Sequence, residues 1–454
     1  MRIGIVLSPP QREAIDKAAA WYKRGRERQQ VFRLFGYAGT GKSTVQRVML
    51  DELGVSPDDV LFLAPTGKAA AVLVDKGHHA QTIHRALYTQ TGENDDLYEA
   101  LSAERETIMA KLRLNSLENR GAYVRRLAAV ETQMRSGEAR SKPEFSFRGT
   151  TAISPRVKII IIDECSMVKN DMFRDLLSLE LPILLVGDPG QLPPVDRDDK
   201  TPSLALTGST PDVMLNEVVR QDGDSTILRL ASSIRDGQMF DFGASEEDHV
   251  AYMDGRGCRG DIGKICDKLD VDLSYFDQII CGRNKTRSAL NDYMRKAHGI
   301  TGELPVGEKN EKLVSTKNIF IGDHFIANGA SISVREDRKR RGEVTVWGHD
   351  YAIDHPVTVT SIDGRPTNVP GASLWKLPFE GEEEYYSRRK SEERAAKQLM
   401  QATWSWAMTA HASQGSEWPT VCVFDESDVF REHRLRWLYT AITRASKDLL
   451  IIKI

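Results

Sequence analysis

The chain has 454 residues, of which 40% are hydrophobic and 28% charged, and its formal net charge is −3. This length predicts roughly two to four domains, each able to bury its own core. The near balance of charge excludes a global positive field, although an internal channel for nucleic acid needs only a local basic lining. Five scattered cysteines without a C-x-x-C pair argue against a zinc site or a disulfide framework. Because no apolar run is long enough to span a membrane, we expect a cytoplasmic protein.

The N-terminal elements lead into a glycine-rich loop. Residues 10–29 predict an amphipathic helix, and residues 30–35 predict a short buried strand. Residues 36–44 read GYAGTGKST and match the phosphate-binding pattern G-x-x-x-x-G-K-[ST] at every fixed position. The stretch 43–53 has helical composition, so the loop lies between a strand and a helix, as a phosphate site requires. The alternative, a chance glycine-rich turn, conflicts with the Lys-Ser pair in register.

This loop predicts a site for a nucleoside triphosphate and Mg²⁺. Its glycines let the backbone N–H groups turn inward and surround polyphosphate at a helix N-terminus. Lys42 would neutralise the β- and γ-phosphates, and the Ser43 hydroxyl would complete the Mg²⁺ shell. The residues assigned to the nucleotide are Gly36, Gly39, Thr40, Gly41, Lys42, Ser43 and Thr44.

Apolar strands separated by helical segments continue the first half of the chain. Residues 60–64, 158–162 and 182–186 predict buried strands of a parallel sheet with helices on both faces. Between the first two of these strands, a charge-rich segment at 95–141 carries apolar residues at mostly helical spacing on both sides of an Asn-Arg-Gly turn. It predicts a helical hairpin that stands off the sheet, and a partly mobile segment is the alternative.

Two loops of this half carry polar residues at the ends of predicted strands. We expect Asp163, after the four-isoleucine strand, to hold Mg²⁺, and Glu164 to orient and deprotonate the attacking water. Gln191 lies on the loop GDPGQLPPV at 187–195, where it would contact the γ-phosphate and the attacking water. The alternative for the carboxylates is an unrelated pair at a strand end, which the phosphate loop and helical crossover upstream argue against. The alternative for Gln191 is a mere surface turn, which would explain DPG alone but less readily the whole run 187–195.

A second αβ set begins near residue 210. From about 302 to 381, short alternating runs and Gly/Asn/Pro turns predict a small all-β insertion. Its basic tip at 338–341 would either hold a phosphate backbone or simply be solvated. A charged helix at 382–400 leads back to the αβ part. The buried strands predicted in this half are 278–281, 420–424 and 449–453.

Eight motifs resemble those of superfamily 1 helicases and occur in the same order. They are GYAGTGKST, APTGKAA (64–70), TIHRAL (82–87), IIDECSM (161–167), GDPGQLPPV (187–195), LNEVVRQ (215–221), TAHASQGSEW (409–418) and YTAITRA (439–445). The set is similar to the RecD/Dda branch, superfamily 1B, since the Rep/UvrD branch typically carries DEFQD where this chain has DECSM. With Gln11 included, the resemblance extends to Ala445 and covers nearly the whole chain.

The resemblance implies an α/β fold with two RecA-like P-loop domains, each built on a parallel sheet. The implied boundaries are 1–195 for the first domain, with a helical or pin insertion at about 90–155, then 196–301 and 382–454 for the second domain, and 302–381 for an SH3-like β insertion. The hairpin is longer than the compact strand-separating pin of relatives. Phe145 and Phe147 would either form that pin or pack on the sheet.

The resemblance also assigns residues to the nucleotide and to DNA. Gln11 resembles the Q-motif glutamine that pairs with adenine, which implies ATP; without the family it would be a helix cap or a solvated side chain. Arg220 and Arg444 resemble the two arginines that reach the γ-phosphate from the second domain. A planar guanidinium suits this role because it can donate two parallel hydrogen bonds to phosphate oxygens. Further residues of this cleft are Gln414, Gly415 and Glu417. The implied contacts to the DNA strand are Thr66, Lys68, His84, Thr409 and His411.

The implied function is an ATP-dependent DNA helicase in replication, recombination or repair. It would move 5′→3′ on single-stranded DNA and unwind duplexes at junctions, as a monomer, with single-strand-binding or replisome proteins as partners. Ala412 replaces a usual Lys, so one phosphate contact is missing or supplied elsewhere. Two other classes stay open: a translocating ATPase that remodels nucleoprotein without strand separation, and an ATP-controlled binding switch. Glu164, Arg220 and Arg444 argue against the switch, whereas nothing in the sequence distinguishes DNA from RNA.

Overall fold

The structure is a computed structural model of the chain. Within the residues that it describes, no helix is long and apolar enough to cross a membrane. The described residues are 7–25, 29–91, 104–105, 107–109, 111, 120–135, 144–193, 203–218, 226–238, 243–245, 249–258, 260–300, 312–321, 324–334, 342–346, 349–354, 357–360, 366–369, 374–375, 377–379, 385, 387–388 and 399–454.

The N-terminal part of the chain alternates strands and helices. Its strands are β1 (Val31–Gly36), β2 (Val60–Ala64), β3 (Ala80–Thr82), β4 (Tyr88–Thr91), β5 (Glu144–Phe147), β6 (Ile159–Ile162), β7 (Ile183–Gly187) and β8 (Val213–Leu215). Its α-helices are α1 (Pro9–Arg24), α2 (Lys42–Leu53), α3 (Gly67–Asp75), α4 (Ile83–Leu87), α5 (Arg120–Arg135), α6 (Asn170–Ser178) and α7 (Leu204–Thr207).

The C-terminal part has a larger share of strands. These are β9 (Gly243–Ser245), β10 (Val250–Asp254), β11 (Gln278–Cys281), β12 (Leu313–Ser315), β13 (Ile319–Ile321), β14 (His324–Ile326), β15 (Ser331–Val334), β16 (Gly342–Val346), β17 (His349–Asp354), β18 (Val357–Thr360), β19 (Pro366–Val369), β20 (Leu374–Trp375), β21 (Ala402–Trp404), β22 (Ala407–Thr409), β23 (Trp418–Asp425) and β24 (Ala445–Lys453). Its α-helices are α8 (Thr226–Arg235), α9 (Ile262–Leu269), α10 (Asn284–Ala297), α11 (Ala410–Ser413) and α12 (Arg434–Ile442).

The first sheet has six strands in the order β3-β2-β6-β7-β1-β8, and all of its strand pairs are parallel. The isoleucines of β6 and the apolar residues of β7 are fully buried, because helices cover both faces of a parallel sheet. The structure confirms the predicted α/β class. Since β8 pairs with β1, this sheet continues to Leu215, beyond the predicted end of the first domain at residue 195.

The second sheet also has six strands, in the order β22-β11-β23-β24-β10-β9. Its pairs are parallel except for the antiparallel edge pair β9–β10. Helix α12 packs on one face with Trp437 fully buried, and α10 packs on the other with Leu290 fully buried. The second parallel sheet predicted from the strands at 278–281, 420–424 and 449–453 is therefore confirmed.

A β-rich segment lies between the strands of the second sheet. Five antiparallel strands form a sheet in the order β19-β18-β15-β12-β21, with β13–β14 and β16-β17-β20 beside it in sequence. Strand β21 lies at 402–404, so the β segment uses residues beyond the predicted limit of 381. The basic tip at 338–341 and most of the predicted helix at 382–400 lie outside the described residues.

Residues 87–148 form a compact unit of their own. The antiparallel pair β4–β5 closes the unit, and the Arg148 N–H donates to the Leu87 carbonyl at 2.9 Å. The described helical residues of the unit lie between 104 and 111 and in α5, connected by an Arg126–Glu104 ion pair of 2.7 Å. The Phe147 ring packs against Tyr88 at 5.6 Å, whereas the side chain of Phe145 lies outside the described set.

Candidate functional site

The glycine loop connects β1 to α2, as the sequence predicts. Gly39 and Gly41 have φ angles of 75° and 77°, which residues with a Cβ rarely adopt. Position 36 requires glycine for a different reason, because a Cβ there would lie 2.7 Å from Thr40 Oγ1. The Lys42 ammonium donates to the carbonyls of Gly36 and Tyr37 at 2.7 and 2.9 Å. This side chain therefore lies across the loop whose phosphate it is predicted to neutralise.

Gln11 joins helix α1 to the same loop. Its Oε1 accepts from the Ser8 N–H at 3.0 Å, and the Ser8 hydroxyl accepts from the Gln11 N–H, which together form a capping box. Its Nε2 donates to the Thr40 carbonyl at 3.1 Å. The side chain also lies against Gly41, where a Cβ would collide with Nε2. Gln11 thus completes the capping box whose N-cap residue is Ser8, and it is also a buried neighbour of the phosphate loop.

The acidic pair lies where the sheet order requires it. Strand β6, which precedes Asp163 and Glu164, is separated from β1 by β7 alone. The Glu164 N–H donates to Asp163 Oδ1 at 3.0 Å, and Glu164 adopts a left-handed φ of 52°. Burial raises the pKa of the Glu164 carboxyl, the Asp163 charge raises it further, and the Arg444 and Lys42 charges lower it. Charges from both walls of the predicted cleft therefore act on the Glu164 carboxyl, Lys42 from the first wall and Arg444 from the second.

Ser43 and Asp163 are the residues predicted to hold Mg²⁺. The Ser43 hydroxyl accepts a hydrogen bond from Lys76 Nζ at 2.9 Å, which places a cation at the mouth of the loop. Both residues offer the hard oxygen atoms that Mg²⁺ prefers, and the ion usually completes its shell with substrate phosphates and water. The described residues hold no group of three or more His, Cys, Asp or Glu that would bind a metal unaided. The chemistry of both side chains is compatible with Mg²⁺, and their role as its ligands stays a prediction.

Gln191 is buried in the loop that follows β7. It is 4% exposed, and within the described part of the chain its Oε1 has no hydrogen-bond partner. A buried amide oxygen without a partner costs free energy unless a further group satisfies it. The adjacent Leu192 is held from the second sheet, because its carbonyl accepts from Gln414 Nε2 at 2.8 Å and its N–H donates to Thr440 Oγ1 at 2.9 Å.

Of the residues predicted from the second domain, Gln414 bonds to this loop directly. Arg444 is buried and donates to the carbonyls of Thr440 and Ser416, each at 3.0 Å. Gly415 approaches α3 of the first sheet so closely that a Cβ would lie 2.9 Å from Ala69 Cβ. Glu417 is exposed. Thr44, which is assigned to the nucleotide from the first domain, lies in helix α2 two residues after Lys42. Arg220 lies outside the described residues, so its predicted role stays a prediction.

The two threonines assigned to the DNA strand both cap helices. The Thr66 hydroxyl accepts from the Ala69 N–H at 3.2 Å at the start of α3. The Thr409 hydroxyl accepts from the Ala412 N–H at 3.4 Å at the start of α11. Each hydroxyl keeps its own proton for donation, so a cap and a phosphate contact are compatible. Neither capping role is apparent from the sequence motifs alone.

The three basic residues assigned to DNA are desolvated. Lys68 lies 5.5 Å from the centre of the Trp418 ring and lines a cavity of about 670 Å³, and burial lowers its pKa to about 8. Burial first and His433 second lower the pKa of His411 to about 4. Burial also lowers the pKa of His84. Both histidines are therefore neutral near pH 7 and would meet DNA as neutral donors, and Lys68 is the cation of this set.

Contacts between the two sheets that are not apparent from the sequence also meet at the phosphate loop. The Arg235 guanidinium of α8 stacks on the Tyr37 ring at 3.9 Å. Tyr439 of α12 bonds to the loop backbone and to Asp188. Tyr439 lies in the motif YTAITRA and Asp188 lies in GDPGQLPPV. The motifs could have singled out these two residues as candidates, but the sequence does not show that their side chains are in contact.

Fold and site define a P-loop protein with two parallel sheets. A family model described as an AAA domain matches residues 6–251, more than half of the chain. The chain belongs to this AAA-domain family. A second model, described as a UvrD-like helicase C-terminal domain, matches residues 405–452, which include α11, β23 and α12.

Two relatives support the predicted branch. The chain is 25% identical over 426 residues to the ATP-dependent RecD2 DNA helicase of Deinococcus radiodurans, covering 91% of this chain but 45% of that protein. It is 23% identical over 390 residues to the ATP-dependent DNA helicase dda of Enterobacteria phage T4, covering 80% and 72%. The predicted resemblance to RecD and Dda is thus confirmed. A solved Pif1 helicase from Candida albicans aligns over 99% of this chain and 94% of its own, with 17% identity and a TM-score of 0.46.

Proposed function

We propose that the protein is an ATP-dependent DNA helicase that moves 5′→3′ on single-stranded DNA. The observation that carries the proposal is the junction of the two sheets at the phosphate loop. There, Gln414 bonds to the Gln191 loop, and the Arg444 charge acts on Glu164. Two walls of one nucleotide site on separate sheets are what a motor needs, since closing and opening the site moves one sheet against the other.

In this mechanism the first wall fixes the triphosphate. Lys42 exchanges its carbonyl partners for phosphate oxygens, and the N–H groups of the glycine loop surround the β-phosphate. Mg²⁺, when bound at Ser43 and Asp163, supplies charge neutralisation for the phosphates. Glu164 takes the proton of the attacking water, for which its raised pKa suits it.

The second wall responds to the γ-phosphate. We propose that Arg444 and Arg220 close on it and that Gln191, whose Oε1 is buried without a partner among the described residues, orients the attacking water. Loss of the γ-phosphate removes the partner of both arginines and lets the walls separate. The DNA strand would be held through contacts to its phosphates, without recognition of its bases. The residues proposed for these contacts are Thr66, Lys68, His84, Thr409 and His411.

The remaining assignments belong to the same proposal. Gln11 would contact adenine with its amide, and Gly415 and Glu417 would couple the cleft to the strand. The substrates are single-stranded DNA and junctions with duplex, the cofactor is Mg²⁺, and the enzyme acts as a monomer in the cytoplasm. The segment 87–148 would separate strands as the pin insertion of the first domain.

The decisive experiment measures ATP-driven unwinding of two duplexes that differ only in a 5′ or a 3′ single-stranded tail. We expect unwinding of the 5′-tailed duplex alone. K42A should lower ATP hydrolysis by roughly 100-fold or more, because it removes the charge that stabilises the phosphates. K17A is the matched control, since Lys17 is an exposed lysine of α1 that forms an ion pair with Glu13.

The outcomes separate the alternatives. Unwinding of the 3′-tailed duplex alone would overturn the direction of movement. DNA-stimulated hydrolysis without unwinding of either duplex would favour the translocating ATPase. Hydrolysis that survives in K42A would refute the assignment of the phosphate loop.

A further inference from the structure

One buried hydroxyl connects the phosphate loop to the helix of the second sheet that leads to Arg444. Tyr439 lies on α12, and its hydroxyl oxygen accepts a hydrogen bond from the Ala38 N–H of the phosphate loop at 2.9 Å. The same hydroxyl donates to Asp188 Oδ2 at 2.7 Å. Three segments that are far apart in the sequence therefore meet at a single oxygen atom.

The surroundings hold this hydroxyl in place. Tyr439 is 2% exposed and Asp188 is 1% exposed, so both bonds are shielded from water. The Tyr439 ring packs on Gly190, where a Cβ would lie 3.1 Å from the ring. Burial and the Asp188 charge raise the pKa of the Tyr439 phenol, which thus remains a donor at neutral pH. A charge-assisted bond in such a dry setting is strong and directional.

The bond also sets the course of the loop that carries Gln191. Asp188 Oδ1 accepts from the Gly190 N–H at 2.8 Å and turns the chain toward Gln191. The next residue of α12, Thr440, accepts from the Leu192 N–H at 2.9 Å. Helix α12 thus holds the Gln191 loop on both sides of the glutamine, while Tyr439 also holds the phosphate loop.

We propose that Tyr439 is a positioning residue for ATP hydrolysis, whose hydroxyl keeps the phosphate loop and the Gln191 loop in one register with the helix that leads to Arg444. This inference rests on the proposed function and deepens it. Lys42 and the glycine N–H groups bind the triphosphate without Tyr439, so removal of the hydroxyl leaves affinity nearly intact. The reaction rate falls, because the groups that meet the γ-phosphate are no longer aligned.

The test compares Y439F with Y252F in steady-state ATPase assays with single-stranded DNA. Tyr252 is a matched control, because it is also buried and its hydroxyl also donates to an aspartate, Asp425, but both belong to the second sheet. Y439F should lower kcat by roughly 10- to 100-fold and leave KM for ATP within about twofold. Y252F should leave kcat unchanged. Melting curves check that Y439F is folded at the assay temperature.

D188N and the double variant D188N/Y439F complete the test. If the hydroxyl acts through Asp188, Y439F costs less kcat in the D188N background than in the native protein. Additive losses, an equal loss in Y252F, or a native kcat in Y439F would each overturn the proposal. If the native protein hydrolyses no ATP, the proposed function itself has failed, so the two failures are distinguishable.

Discussion

The surroundings of Glu164 oppose a negative charge on its carboxyl. Burial is the largest cause of its raised pKa, and Asp163 is the second. Its left-handed backbone at φ 52° keeps it at the end of β6 and directs the chain into the next turn. A carboxylate whose pKa is raised binds a proton more readily, which is the property required of a base acting on water.

The prediction at this scale concerns E164Q, which keeps the shape and removes the base. We expect kcat for ATP hydrolysis to fall by roughly 10²- to 10⁴-fold, while ATP binding persists. In the native protein, kcat should rise with pH through the raised pKa of Glu164 and level off above it, since only the carboxylate accepts a proton. The pH profiles of both proteins measure this, and the same acidic limb in E164Q would contradict the assignment.

The raised pKa of Glu164 also predicts how E164Q changes the stability of the protein, which is an independent control for this variant. Because the pKa of Glu164 is higher in the folded than in the unfolded chain, the folded state loses stability as pH rises through that range. E164Q should therefore melt at an equal or higher temperature than the native protein at neutral pH. The difference should vanish once the pH falls below the unfolded value of 4.5, where the native carboxyl is protonated in both states.

At the scale of elements, helix α3 and the loop at Gly415 form a tight contact across the two sheets. Ala69 and Gly415 approach so closely that only glycine fits, since a Cβ would lie 2.9 Å from Ala69 Cβ. Gly415 also has a φ of 74°, which by itself disfavours a side chain. The contact joins the segments APTGKAA and TAHASQG, which carry four of the residues predicted to contact DNA, namely Thr66, Lys68, Thr409 and His411.

G415A should therefore lower the free energy of unfolding by more than the backbone strain at a positive φ alone would. G257A is the matched control, because Gly257 has a φ of 92° and open space around its missing Cβ. We expect G257A to lose about 1–2 kcal/mol of unfolding free energy, and G415A to lose about 1–3 kcal/mol more through overpacking. Denaturant unfolding measures both. DNA-stimulated ATPase should fall in G415A only, and equal behaviour of the two variants would disprove the role of the contact.

At the scale of the whole molecule, the unit 87–148 begins and ends at one place. The Arg148 N–H donates to the Leu87 carbonyl at 2.9 Å, and β4 pairs with β5 along four residue pairs. A unit whose two ends are adjacent can be excised with little strain on the chain that remains.

Replacement of residues 88–147 by a short Gly-Ser joint tests what this unit does. We expect the shortened protein to fold and to retain DNA-stimulated ATPase, because the phosphate loop, the acidic pair and Arg444 all lie outside the unit. Unwinding of a 5′-tailed duplex should be lost. Retained unwinding would show that strand separation occurs elsewhere, and loss of ATPase would show that the unit supports the site.

The sequence by itself determined the local chemistry of the protein. The strands at 60–64 and 278–281 have the predicted bounds, since buried apolar runs between turns specify a parallel sheet. The strand–loop–helix context of GYAGTGKST likewise specified the phosphate loop, and the structure gives it positive φ at Gly39 and Gly41. Such features depend on neighbours along the chain, and they can be predicted without knowledge of the fold.

The tertiary structure alone decided how distant segments meet. The pairing of β8 with β1 carries the first sheet past residue 195, and β21 carries the β segment past 381, because strand partners are chosen by packing across the fold. The same holds for Tyr439, whose hydroxyl reaches Ala38 and Asp188 only when both sheets are assembled. Burial of Lys68 and His411, which lowers the pKa of both side chains, likewise depends on what covers them.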